Sequence, residues 1–199
     1  MATYNIGYIV GSLSSTSINR TLSRALIKLA PENLVFNEIH IRALPLYSQD
    51  YDANYPSEGT ALKQAIKSAD GLLIISPEYN RSIPGALKNA IDWASRPKGT
   101  NSFARKPTGV IGASTGAIGT AVMQSQMRSV LSFLDAPQLN SPEVYLSFKP
   151  EFFAPDRTFT DDALRKFLEH YMVEYYAFVQ RVLDANAEGH IGDPESPQR

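Results

Sequence analysis

The chain has no cysteine, and it has one tryptophan and three histidines among its 199 residues. Without thiols, disulfide bonds, cysteine-ligated zinc, iron–sulfur clusters and a thiol nucleophile are all excluded. Charge of one sign is not in excess either, since 19 basic residues (Lys and Arg) stand against 20 acidic ones, for a net charge of −1. Nothing in this balance attracts DNA, RNA or an anionic membrane surface.

Long apolar runs are also missing from the sequence. No run approaches the roughly 20 residues that a membrane-spanning helix requires. Residues 1–10 carry no positive charge of the kind that opens a signal peptide. Hydrophobic residues make up 43% of the chain and charged residues 20%, which is ordinary globular usage. We therefore expect one cytoplasmic globular domain over residues 1–187, followed by a flexible C-terminal tail over residues 188–199.

The hydrophobic pattern alternates between strand-like and helix-like segments along the whole chain. This alternation predicts a doubly wound α/β domain, in which a five-stranded parallel sheet is covered by helices on both faces. Ser57 is predicted to cap the second helix. In such sheets, ligands bind beyond the carboxyl ends of the strands, where the strand order reverses. The predicted strands are 4–10, 34–41, 72–76, 107–113 and 143–148, and the predicted helices are 18–29, 58–69, 85–94, 120–134 and 160–186.

The loop after the first strand, from Gly11 to Asn19, carries five hydroxyl side chains and leads into a helix. Unpaired N–H groups and the helix dipole favour an anion at such a place. The loop matches neither G-x-G-x-x-G nor the Walker A pattern, because the glycines and the lysine are missing. We expect it to bind a single terminal phosphate. A plain polar turn, with Ser17 as the helix N-cap, is the alternative interpretation.

The loop after the third strand is the most distinctive stretch of the sequence. A flat aromatic ligand would lie over Pro77 and Tyr79, and the backbone N–H groups of residues 78–80 would bind its edge. An ordinary turn explains the same residues equally well. Trp93, on the helix that follows, is predicted to belong to the hydrophobic core.

These loops resemble those of the NADPH-dependent FMN reductase family, whose flavodoxin-like members include quinone, azo-dye and chromate reductases. The resemblance covers roughly residues 4–146. It implies a flavodoxin-like fold, non-covalent FMN and NADPH or NADH as the reductant. The matching segments are GSL-x-x-x-S-x-N (residues 11–19), PEYN-x-S-x-PG-x-LKNAIDW (77–93), G-A-S-T-G-x-x-G (112–119) and F-L-D-A-P (133–137).

The resemblance also implies which residues contact each part of FMN. Close relatives often carry a basic residue where this chain has Ser14, and Arg20 or Arg24 would then supply the charge beside the phosphate. The implied phosphate ligands are Ser12, Ser14, Ser17, Ile18 and Asn19; Pro77, Glu78, Tyr79 and Asn80 line the flavin ring, and Ser114, Thr115 and Gly116 close its third side.

The activity implied is the reduction of a quinone or a related acceptor, such as a nitro- or azo-aromatic, chromate or free flavin. The flavin carries this chemistry, so no side chain is named as catalytic. A homodimer or homotetramer is implied as well, with the helix 85–94 and the loop 44–55 meeting a second copy near the flavin.

Two other functions compete with this interpretation. Residues 112–116 match G-x-S-x-G, the nucleophile elbow of α/β-hydrolases, with Ser114 as the nucleophile and His170 or His190 downstream. The chain lacks an obvious oxyanion loop for that chemistry. A flavodoxin-like electron carrier is the second alternative, although such carriers are usually strongly acidic. The histidines show no metal-ligand spacing, and no metal site is predicted.

Overall fold

The structure is a computed structural model, and it describes residues 2–154, 156 and 158–188. Strands and helices alternate throughout these residues. Short 3₁₀ turns lie at Gln49–Tyr51 and Pro150–Phe152. The strands are β1 (Tyr4–Val10), β2 (Leu34–Glu38), β3 (Gly71–Ile75), β4 (Thr108–Ser114) and β5 (Tyr145–Ser147), and the helices are α1 (Ile18–Leu29), α2 (Ser57–Ser68), α3 (Gly85–Ser95), α4 (Ala121–Phe133) and α5 (Asp162–Ala187).

The five strands form one parallel sheet in the order β2-β1-β3-β4-β5. The chain therefore winds outward from β1 to β2, then crosses back over β1 to β3 and continues in the opposite direction. The reversal lies between β1 and β3, where Val10 pairs with Ile75. Ligands bind at the carboxyl edge beside such a reversal, so the order of the strands fixes where the site is expected.

Two hydrophobic cores lie on opposite faces of the sheet. β3 is buried along its whole length, and its side chains alternate between the cores. Leu72 and Ile74 pack with α2, α3 and α4, whereas Leu73 and Ile75 pack with α1 and α5. Burial on both faces explains why this strand reads as a continuous apolar run in the sequence.

The predicted fold class is confirmed, with small differences at the ends of elements. Pro56, not Ser57, occupies the N-cap of α2, because its extended backbone places its carbonyl oxygen 3.0 Å from the Thr60 nitrogen. The second strand ends at Glu38 and not at residue 41. Of the predicted tail, Glu188 ends α5, and residues 189–199 lie outside the described residues. None of the helices described is long and apolar enough to cross a lipid bilayer.

Candidate cofactor site

Three loops meet at the carboxyl edge of the sheet, after β1, β3 and β4. The register continues past the strand ends, since the Gly11 N–H donates to Ile75 at 2.9 Å and the Ser76 N–H donates to Ile111 at 3.0 Å. Neighbouring strands lie about 4.8 Å apart, so these loops cover one continuous stretch of surface. We call them the hydroxyl loop (residues 11–17), the hairpin loop (77–82) and the glycine loop (114–119).

The hydroxyl loop is shaped by its own side chains. The Ser12 hydroxyl accepts from the Ser14 N–H at 3.3 Å, and the Ser14 hydroxyl accepts from the Thr16 N–H at 3.2 Å. The hydroxyls of Ser14 and Thr16 lie 3.1 Å apart and share a further hydrogen bond. Ser17 caps α1, because its side chain accepts from the Arg20 N–H at 3.3 Å. The capping role proposed for Ser17 as the alternative interpretation is therefore confirmed.

Unpaired donors remain at the start of α1. Among the described residues, no acceptor meets the backbone N–H groups of Ser15, Ile18 and Asn19. These groups stand at the positive end of the helix dipole, which favours an anion. The donor set therefore fits a phosphate group, held through neutral N–H and hydroxyl groups.

Asn19 takes part in this site differently from what the sequence suggested. Its side chain is fully buried, donates to the Ala113 carbonyl at 2.8 Å and accepts from the Ala113 N–H at 2.8 Å. The amide thus ties the start of α1 to β4. The amide oxygen and one Nδ2–H of Asn19 are thus engaged inside the protein, whereas its backbone N–H has no acceptor among the described residues.

The hairpin loop turns tightly at Asn80 and Arg81. Tyr79 and Ser82 exchange backbone hydrogen bonds of 3.1 and 2.9 Å, and the two residues between them have φ angles of 51° and 59°. Two successive positive φ angles define a type I′ turn. The Tyr79 N–H, expected to bind the ligand edge, is instead used in this hairpin. The Tyr79 side chain is half exposed, whereas Pro77 is buried.

Glu78 anchors the hairpin loop to α4. One carboxylate oxygen accepts from the backbone N–H groups of Val122 and Met123, both at 3.0 Å, and the other lies 3.4 Å from Arg81. Thr120, the N-cap residue of α4, makes no side-chain capping bond. The carboxylate thus replaces the missing cap and complements the helix dipole. The sequence predicts that Glu78 lines the ligand and binds its edge through the backbone N–H; the structure places Glu78 at the cavity, with its carboxylate bound to α4.

The glycine loop lies opposite the hairpin loop. The Ser114 hydroxyl accepts from the Gly116 N–H at 2.9 Å, and both Thr115 and Gly116 are exposed. A cavity of about 300 Å³ opens between the two loops. Its size and its position between two polar loops suit a flat aromatic ring. The lining residues are Glu78, Asn80, Arg81, Ser114, Gly116, Ala117, Ile118 and Gly119.

The first glycine of the G-x-S-x-G pattern, Gly112, has a structural reason that does not involve hydrolysis. A Cβ atom on Gly112 would lie 1.9 Å from the Ser76 carbonyl oxygen, so the close approach of β3 and β4 requires glycine here. Ser114 lacks the strained backbone of a nucleophile elbow, since its φ is not positive. Within the described residues, the Gly116 N–H is the one hydrogen-bond partner of its hydroxyl.

The basic residues near the hydroxyl loop are arranged differently from the expectation. Arg20 pairs with Glu38 at 2.6 Å, so it is already neutralised. Arg24 is exposed and lies about 9 Å along α1 from its first residue. Arg42, which the sequence did not single out, donates from Nη2 to the Leu13 carbonyl of the hydroxyl loop. No local pattern marks this contact, because the two residues lie 29 positions apart.

A fourth loop, the tyrosine loop (residues 43–56), packs against α3. Trp93 is fully buried, as predicted, and its indole N–H donates to Pro45 at 2.7 Å. Asn89 holds the same carbonyl at 2.8 Å and also accepts from the Tyr47 N–H at 2.9 Å. The K-N-A-I-D-W pattern therefore encodes a clamp for this loop. Three tyrosine rings surround the indole, namely those of Tyr47, Tyr51 and Tyr55.

Of the histidines that the structure describes, none lines the cavity between the hairpin and glycine loops. His40 is exposed beside Glu38 at 3.3 Å, His170 lies on α5, and His190 falls outside the described residues. Across residues 2–154, 156 and 158–188, no group of three or more His, Asp or Glu side chains could hold a metal ion.

Proteins similar to this chain are named as reductases. The family model for NADPH-dependent FMN reductase matches residues 4–151. The chain is 47% identical over 175 residues to a 2-hydroxy-1,4-benzoquinone reductase from a Burkholderia species, covering 88% of this chain and 96% of the relative. It is 40% identical over 178 residues to a quinone reductase from Pseudomonas putida, covering 89% and 95%.

Among solved structures, the chain is similar to FerB, a flavoenzyme NAD(P)H:(acceptor) oxidoreductase from Paracoccus denitrificans. The TM-score is 0.87 and the sequence identity 39%, over 90% of this chain and 98% of that one.

Proposed function

Because the chain belongs to the NADPH-dependent FMN reductase family, we propose that its three carboxyl-edge loops hold FMN and that it reduces quinones with NADPH or NADH. The observation that carries the proposal is the pairing of two features on adjacent strand ends. One is the set of unpaired N–H groups at the start of α1, and the other is the cavity between the hairpin and glycine loops.

Different sets of residues would bind the phosphate and the ring of the cofactor. The N–H groups of Ser15, Ile18 and Asn19, together with the hydroxyls of Ser12, Ser14 and Ser17, would hold the phosphate. The cavity beside Ser114, Thr115 and Gly116 would take the ring, with Pro77 and Tyr79 beneath one side of it. The backbone N–H groups of Glu78 and Asn80 would bind its edge. When bound, FMN accepts a hydride from the nicotinamide and passes electrons to the second substrate.

The protein's part in this reaction is binding and orientation. The type I′ turn fixes the hairpin loop, and Glu78 fixes that loop to α4. Glu78 is the one carboxylate among the cavity residues, and two backbone N–H groups already engage it. We therefore assign no side chain as acid or base.

Quinones are the acceptor class that the similar proteins favour. The Burkholderia relative is named for 2-hydroxy-1,4-benzoquinone and the Pseudomonas relative for quinones. A quinone is flat and accepts two electrons, so it would stack on the exposed face of the flavin ring that this cavity is proposed to hold. The alternative of an electron carrier without its own substrate receives no support from charge, since the chain is nearly neutral.

The test is the colour and turnover of the purified protein. We expect an FMN-like absorbance and oxidation of NADPH or NADH with a benzoquinone and no added protein partner. A panel of quinones, nitro- and azo-aromatics, chromate and free flavin, run with both nicotinamides, would rank the acceptors. A colourless protein that gains no flavin absorbance when FMN is added would overturn the proposal.

Ser114→Ala separates the reductase from the serine hydrolase. Loss of one neutral hydrogen bond costs about 0.5–1.5 kcal/mol, so FMN affinity should fall by about tenfold at most. Quinone reduction should remain measurable at saturating FMN. Removing a hydrolase nucleophile would instead lower turnover about a million-fold. Ester hydrolysis that vanishes in the variant, with no NADPH or NADH oxidation in either protein, would favour the hydrolase.

We also propose a homodimer, or a homotetramer built from dimers, in which the tyrosine loop and α3 face a second copy. The carboxyl edge carries several half-exposed apolar side chains, and patches of this kind mark partner surfaces. Light scattering should give at least about 44 kDa, twice the 21.9 kDa of one chain. A mass near that of one chain would contradict this. The exposed apolar residues of these loops are Leu13, Leu46, Tyr51, Tyr79 and Ile118.

A cytoplasmic location completes the proposal, since reduced nicotinamide nucleotides are intracellular metabolites. Cell fractionation with a tagged full-length chain tests it.

A further inference from the structure

We infer that Arg42 supplies the positive charge that faces the FMN phosphate, in place of a basic residue in the hydroxyl loop itself. The inference rests on the proposed binding of FMN. Its starting point is that residues 11–19 contain no charged side chain, while a phosphate monoester carries a charge of about −2 at neutral pH. Neutral donors alone leave most of that charge uncompensated.

The position of Arg42 makes it suitable for this role. It follows β2, which lies next to β1, so both chain segments reach the same edge of the sheet. Its Nη2 atom donates to the Leu13 carbonyl, inside the hydroxyl loop. A guanidinium has five N–H donors in a planar fork. One contact to Leu13 leaves the others available to a phosphate held above the same loop.

The neighbouring cations are less suited to the role. Arg20 is paired with Glu38, which also accepts from the Tyr8 hydroxyl at 3.3 Å and lies 3.3 Å from His40. Arg24 lies about 9 Å along the helix from the unpaired N–H groups. By contrast, Arg42 has no carboxylate partner among the residues that the structure describes. Its charge is therefore available for a ligand.

Arg42 shares a small cleft of about 280 Å³ with Ser12 and Leu13 of the hydroxyl loop. Arg20, Glu38 and His40 also line this cleft, and Glu38 is the group that Arg20 and His40 approach. Arg42 itself is exposed, so its replacement should leave the hydrophobic cores intact. This separates an effect on ligand binding from an effect on folding.

The experiment compares two flavins that differ only in the phosphate. FMN and riboflavin are titrated into flavin-free protein, and binding is followed by the quenching of flavin fluorescence. In Arg42→Gln we expect FMN affinity to fall about tenfold or more, as for the loss of a charge-assisted hydrogen bond. Riboflavin affinity should change less than twofold. Arg24→Gln, an equally exposed arginine of the same region, should bind both flavins like the wild type.

Charge and anchoring are separated by two further measurements. Arg42→Lys keeps the charge but not the planar fork, so its FMN affinity should lie between those of the wild type and Arg42→Gln. Raising the salt concentration should weaken FMN binding to the wild type more than to Arg42→Gln, because salt screens an exposed charge pair.

Equal FMN affinity in the wild type and Arg42→Gln would overturn the inference. An equal loss of FMN and riboflavin affinity would also overturn it, because Arg42 would then act only by holding the loop. A wild-type protein that binds neither flavin would overturn the proposed function as well. Wild-type FMN binding with an unaffected Arg42→Gln variant would overturn the inference alone.

Discussion

The hydroxyl loop and the tyrosine loop follow neighbouring strands of one sheet, yet they satisfy their polar groups in opposite ways. The hydroxyl loop leaves backbone donors unpaired at the start of α1. The tyrosine loop has its carbonyl at Pro45 and its N–H at Tyr47 bound by side chains of α3. Unpaired donors at a surface suit a ligand, whereas satisfied donors fix a loop in place. The contrast separates the loop that is proposed to bind the phosphate from a loop whose polar groups are satisfied within the protein.

The largest loss of stability is expected from removing the Trp93 indole, which supports the tyrosine loop. Trp93→Ala should lower the free energy of unfolding by about 3–5 kcal/mol, as large-to-small changes in a core do. The change removes the bond to Pro45 as well as the buried ring. Urea denaturation followed by circular dichroism measures this, since the variant has no tryptophan left to fluoresce. Tyr51→Ala, at a half-exposed ring beside the indole, serves as the control and should cost less. An equal loss in the free energy of unfolding in both variants would contradict the support that Trp93 gives to the tyrosine loop.

Asn19→Asp tests the structural side of the hydroxyl loop. The new carboxylate oxygen would face the Ala113 carbonyl that the amide now donates to, so the free energy of unfolding should fall by about 2–4 kcal/mol. Burial raises the pKa of the new carboxyl group above its unfolded value. The destabilisation should therefore be smaller at pH 5 than at pH 8. Ser17→Ala, which removes only the cap, should cost about 1 kcal/mol with no such pH dependence. An Asn19→Asp variant as stable as the wild type would show that this bond carries little.

The hairpin loop is intermediate, with unpaired backbone donors and an anchored carboxylate. Glu78→Gln keeps the shape but removes the charge at the start of α4. We expect a loss of about 1 kcal/mol in the free energy of unfolding and faster hydrogen exchange at Val122 and Met123. Arg81→Gln removes the exposed partner of a long ion pair of 3.4 Å and should change stability by less than about 0.5 kcal/mol. Unchanged exchange at both amides would show that another group caps α4.

The smallest effect concerns Lys63, behind the tyrosine loop. Its ammonium group donates to Thr100 at 2.6 Å and to the Arg96 carbonyl, and burial lowers its pKa from 10.5 to about 8. Between these two values the unfolded chain binds more protons than the folded one, so this group makes stability rise with pH. We expect the wild type to gain less than about 1 kcal/mol relative to Lys63→Met from pH 7 to pH 9.5, because solvent screens a half-buried charge. A wild type that loses stability relative to Lys63→Met over this pH range would contradict the lowered pKa of Lys63.

The layout of the sheet and the three binding loops could be predicted from the sequence because their signals are local. The apolar run of β3, the spacing of Leu22 and Leu26 on α1, and the hydroxyls after β1 are all visible within a few residues. These patterns place the three loops at the carboxyl edge of the sheet, and the structure brings the loops together there.

The partners of the side chains could not be predicted, because they lie far away in the sequence. The Asn19 amide binds Ala113, 94 positions later, and Glu78 caps a helix that begins 43 positions later at Ala121. Asn19 and Glu78 were predicted to contact the ligand, and the sequence alone did not show that their side chains bind β4 and α4. The contact between Arg42 and Leu13 was missed for the same reason.

The close approach at Gly112 has a consequence for engineering the protein. A library that varies this position would mostly yield chains that cannot seat β4 beside Ser76. Thr115, Ala117 and Ile118 are exposed, and the last two line the cavity. Protein engineering should therefore hold Gly112 constant and diversify these three tip positions, where new side chains change the surroundings of the proposed flavin ring and do not disturb the sheet.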